Sequence, residues 1–112
     1  MPRYLYRFGF SSPEQWAANE KHGWDDEDSE ALFVVAESSE EALAWGQEVS
    51  EEFQRRMFRD AGWKEPLPSW KDARFACWIE EEPERQFPVE ILERLPAVRV
   101  GEMPPTERWL CP

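Results

Sequence analysis

The 112-residue sequence has no apolar run approaching the ~20 residues that a membrane-spanning helix requires. Histidine occurs once and cysteine twice, at Cys77 and Cys111. So few and so widely spaced, they exclude a disulfide framework and a zinc-ligand pattern, and free thiols are expected. The five glycines never cluster ahead of a helix start, so no phosphate-cradling loop is present. Basic residues number 13 against 24 acids, for a net charge of −11. Such a surface repels nucleic-acid phosphates and anionic lipid, so direct binding to either is not expected. The start, Met1-Pro2-Arg3-Tyr4, enters a strand-like pattern without the apolar core of a signal peptide, which gives the expectation of a cytoplasmic protein. No internal repeat or low-complexity segment occurs.

Aromatic side chains, in contrast, are plentiful. Seven Trp and seven Phe within a 41% hydrophobic chain can build a core, which argues against disorder despite the charge. A chain of this length buries roughly 65% of its unfolded surface, enough for one domain over residues 1–112. The stretch 101–112 is Pro-rich and expected to be irregular, with Trp109 and Leu110 as anchors to the body.

Residues 3–10 alternate, with Tyr4, Tyr6, Phe8 and Phe10 on one side and Arg3, Leu5, Arg7 and Gly9 on the other, which predicts a half-buried strand. Ser12-Pro13-Glu14-Gln15 reads as a capping box opening a short helix that Gly23 stops. Residues 24–30 form an acidic loop. The unbroken apolar run 32–36 predicts a central strand buried on both faces. A second capping box, Ser38 and Glu41, opens a long helix to about Ala61, with Ala42, Trp45, Gly46, Val49, Phe53 and Met57 in one stripe. Residues 73–80 alternate again as a third strand, with Phe75, Cys77 and Ile79 opposed to Trp78. A charged turn at 80–84 leads to a short helix over 88–95 with Pro88 at its first position, then an edge strand over 97–100. The fold class is therefore α+β: a small three- to four-stranded sheet with one long and one or two short helices packed on one face. Periodicity leaves parallel and antiparallel pairing open.

The charge is unevenly placed. From Glu14 to Glu52 lie thirteen acids and one base, Lys21. Acids suit helix starts and solvated faces, yet their concentration also predicts a negative surface that steers a basic partner. The residues expected to form it are Trp24, Asp25, Asp26, Glu27, Asp28 and Glu30 of the loop, with Glu48 and Glu52 of the long helix. As a calcium loop, Asp25 to Ala36 fails: Glu30 stands where the turn needs Gly and Ala36 where a bidentate Glu belongs. No motif frames a nucleophilic pair of His22 with Cys77 or Cys111. Trp45 is expected in the core, while Trp16, Trp24, Trp63, Trp70 and Trp109 sit in or beside loops and short elements. Exposed rings beside acids suit a cationic peptide, a sugar or a methylated lysine.

In this general character, acidic and small, the chain is similar to the immunity proteins that neutralise bacterial toxins, a likeness of composition. That implies a non-enzymatic protein masking a basic partner protein, with no cofactor and no metal. Three other readings remain: a DNA mimic whose spaced carboxylates occupy a nucleic-acid-binding protein, a small carboxylate-dependent enzyme or sugar-binding domain with a Trp-lined site, and a purely structural or oligomer-forming subunit.

Overall fold

The computed structural model describes residues 1–105, so the expectations for Trp109, Leu110 and Cys111 lie outside the described residues. The elements run β1 (Arg3–Phe10), α1 (Pro13–His22), β2 (Asp28–Val35), α2 (Ser39–Asp60), α3 (Trp70–Ala73), β3 (Cys77–Glu80), α4 (Pro83–Gln86), α5 (Val89–Arg94) and β4 (Ala97–Arg99). The fold is α+β, with one four-stranded mixed sheet in the order β3-β1-β2-β4. β1 lies antiparallel to both β2 and β3, while β4 runs parallel to β2.

The aromatic side of β1 faces the main core as its period predicts, but the strand is not half-buried, since Leu5 on the opposite side is buried as well. Tyr6 and Phe8 enter the main core with Leu32 and Val34 of β2, beneath Val49 and Phe53 of α2. The phenol of Tyr6 is fully buried and lies 2.7 Å from Ser50 Oγ, which in turn donates to the Gly46 carbonyl. Burial pushes this phenol well above its ordinary pKa, so it stays a neutral donor. Gly46 sits where α2 crosses β1, and a Cβ there would fall inside van der Waals contact with the Tyr6 ring. The helix can approach this closely because that position carries no side chain.

β2 is buried on both faces, as its unbroken apolar run predicts. Leu5, Ala31 and Phe33 point away from α2 into a second cluster covered by Phe87, Leu92 and Leu95. Thus α2 covers one face of the sheet and the segment around α5 adds cover to the other.

Several boundaries differ from the sequence reading. The acidic loop is shorter, because Asp28 to Glu30 already pair with Phe10 to Phe8 across the β1–β2 ladder. The third strand spans only Cys77–Glu80. Residues 70–73 instead form a helical turn that buries the Trp70 indole, whose Nε1 donates to the Gly9 carbonyl at 2.8 Å, and Arg74 leaves that turn at φ 59°. The charged turn contains α4, and Pro88 caps α5 from just outside it.

The buried face of α2 is also more polar than its stripe suggested. Ser50 and Gln54 are buried, Phe58 replaces Met57 as the innermost residue of the last turns, and Trp45 is only partly buried. Phe58 is met edge-on by Trp16 at 5.6 Å and Trp63 at 4.8 Å. Both capping residues work as predicted: Ser12 Oγ accepts from the Gln15 N–H and Ser38 Oγ from the Glu41 N–H. Neither box closes reciprocally, since Gln15 turns to Asn19 and Glu41 accepts from the Glu37 N–H.

Candidate binding face

The connection from α1 to β2 is short and tightly held. Gly23 turns left-handed at φ 71°, and the N–H groups of Gly23 and Trp24 both donate to the Asn19 carbonyl. This double closure satisfies the last turn of α1 and fixes where the loop departs. Two side chains then grip the same point further on: Asn19 Nδ2 and Ser11 Oγ each donate to the Asp26 carbonyl at 2.9 Å. The Gln15 amide holds Asn19 in turn, at 2.7 Å from its Oδ1.

Held this way, the loop closes one side of a shallow cavity of about 420 Å³. Trp16, Trp24 and Phe75 supply ring surface to its wall, and Glu20, Asp25, Asp26 and Glu27 supply carboxylates. Trp24 is 54% exposed and stacks on His22 with ring centres 4.3 Å apart. Trp16 donates from Nε1 to Glu20 Oε1 at 3.1 Å, which orients both along α1. Among the described residues, Asp25, Asp26 and Glu27 enter no ion pair. Arg74, from the turn before β3, is the one cation in the lining.

Of the eight residues expected to form a binding face, the structure brings Trp24, Asp25, Asp26 and Glu27 together here. Asp28 and Glu30 lie in β2, outside the lining. The Glu30 carboxylate is part-buried and accepts from the Ala31 N–H, and burial raises its pKa above the ordinary carboxylate value. On α2, Glu48 is bound by Lys71 Nζ, and Glu52 by Arg56 Nε at 2.8 Å. Arg74 and Phe75 are lining residues that sequence reasoning missed, while Trp16 and Glu20 belong to the ring and acid sets read from the sequence but were not assigned to the face. The spacing Trp16 to Glu20 is one helical turn and was a usable signal. Nothing in the sequence joins Phe75 to a loop some fifty positions earlier.

Chemically, the arrangement suits a cation. Exposed carboxylates raise its local concentration, and ring faces attract it at short range. Among the described residues, no group of three or more His, Cys, Asp or Glu is placed to hold a metal ion. His22 is stacked on Trp24 while Cys77 takes a bond from Gln47 Nε2, so each is engaged by a different neighbour. Among the described residues no helix is long and apolar enough to cross a membrane. Comparison with family models, with curated proteins and with solved structures finds no match to this chain.

Proposed function

We propose that the chain is a non-enzymatic binding protein whose Trp24–Glu27 loop takes a cationic side chain of a basic partner protein, masking that partner in the manner of an immunity or inhibitor protein. The observation that supports this reading is the meeting of unpaired carboxylates and ring faces around one cavity. The hydrogen bonds on the Asp26 carbonyl add to it, because a loop already held loses little freedom on binding. A DNA mimic would need free carboxylates spaced along a ribbon. Glu48 and Glu52 are instead paired with Lys71 and Arg56, which interrupts a line of free charge from the loop along α2 and favours a protein partner.

The test is association kinetics against a basic protein captured at low salt after nuclease treatment. Changing Asp25, Asp26 and Asp28 to Asn and Glu27 to Gln should slow association about tenfold and flatten its salt dependence, with folding unchanged. Identical kinetics for the two proteins would remove the loop from the binding site. Loss of binding with addition of duplex DNA would favour mimicry instead.

A further inference from the structure

Among the described residues the sheet ends at β3 on one side, and its outer backbone groups have no neighbouring strand. The Gly9 N–H donates to the Ala76 carbonyl at 2.8 Å, which sets the phase of the β1–β3 ladder. Trp78 and Glu80 therefore turn their backbone groups toward β1, while Cys77 and Ile79 turn theirs outward. Cavities of about 710 and 290 Å³ open beside this edge, the first lined by Glu40, Leu43 and Ile79, the second by Gln47 and Lys71, with Cys77 in both. Proteins commonly blunt an exposed edge with Lys, Pro or a bulge. Cys77–Glu80 contains neither Lys nor Pro, and Trp78 at its middle is 37% exposed.

The two ends of the edge carry opposite charge. Arg74 precedes β3 and Glu81 follows it, whereas Lys71 is held by Glu48 and Glu82 by Arg85. Among the described residues, neither Arg74 nor Glu81 has an ion-pair partner. A strand with this polarity is complementary to itself when reversed.

We infer that β3 pairs antiparallel with β3 of a second copy of the chain about a two-fold axis at Trp78, joining two sheets into one. In this register Cys77 of each copy exchanges backbone hydrogen bonds with Ile79 of the other. The two Trp78 side chains become a close non-hydrogen-bonded pair, and the Arg74 end of each strand comes beside the Glu81 end of the other. The interface is isologous, so it closes at a dimer.

Sedimentation equilibrium over a concentration series tests this directly, with circular dichroism as the check on folding. The native chain should form a dimer. Trp78→Lys, at an exposed position, should fold and remain monomeric, because it sets two like charges side by side across the axis. Arg74→Glu should weaken dimerisation about tenfold, and adding Glu81→Arg should restore it. A native chain that stays monomeric at about millimolar concentration overturns the inference, as does a dimer that tolerates Trp78→Lys or a charge swap that fails to restore it. An edge closed by some other strand-donating protein would show as a monomer alone and count against it equally.

Discussion

Glu30 carries a conflict that a single substitution can expose. Its carboxylate sits part-buried on β2 with one N–H donor, and desolvation outweighs that donor, so its folded pKa lies above the ordinary value of 4.5. Below that ordinary value both the folded and unfolded states hold the proton, and Glu30 has no effect on stability. As pH rises, the unfolded chain releases the proton first, so stability falls until the folded pKa is passed and stays lowered above it. Glu30→Gln should therefore raise the urea midpoint at pH 7, with the gain shrinking as pH falls toward 4.5. A gain that is constant with pH would mean that the charge is not its source. Nothing in the sequence flagged this residue as different from its acidic neighbours. Its setting comes from the ladder to β1, where Phe8 is its cross-strand partner.

At the scale of elements, the α1–β2 connection depends on Asn19 as much as on Gly23. Asn19 receives two backbone N–H groups on its carbonyl and sends its side-chain amide to Asp26. Asn19→Ala keeps the carbonyl contacts and removes the side-chain tie, at a cost of about 1 kcal/mol. Amide hydrogen exchange should then quicken over residues 24–28 while α2 is unaffected, and uniform exchange across both would show that the tie does not localise the loop.

The elements most legible in the sequence were those with their own punctuation. β1 by its alternation, α1 by Ser12 and Gly23, and α2 by Ser38 and its apolar stripe all fall within a residue or two of expectation. The turn at Trp70–Ala73 was not, because its cause is remote: the Trp70 indole reaches the Gly9 carbonyl sixty-one positions away. The same holds for the candidate site. Its acidic half was visible as a run of charge, whereas Arg74 and Phe75 arrive through tertiary packing, and the pairing of Glu48 with Lys71 could be seen only once α3 lay beside α2.

Taken whole, the molecule carries a net charge of −11 on one small body. Like charges repel across it in the folded state more than in the extended chain, so lowering ionic strength should destabilise it. Screening shortens from about 30 Å at 0.01 M salt to about 8 Å at 0.15 M. Over that interval Tm should rise by about 4 °C, as relief of about 1 kcal/mol of repulsion would give in a domain of this size. A Tm that falls with salt would show that the ion pairs such as Arg7–Glu80 outweigh the repulsion.

The strand order also sets a timetable for synthesis. The two middle strands, β1 and β2, leave the ribosome first and share the longest ladder in the sheet. The flanking strands come from the last third of the chain, so the sheet grows from its centre outward as translation proceeds. Until then the nascent β1–β2 pair presents two bare edges, both faces rich in apolar side chains, and nothing beside it but α1 and the emerging α2. A pause in translation between residues 36 and 76 would prolong that state, making the interval one in which a nascent chain most needs a chaperone's cover.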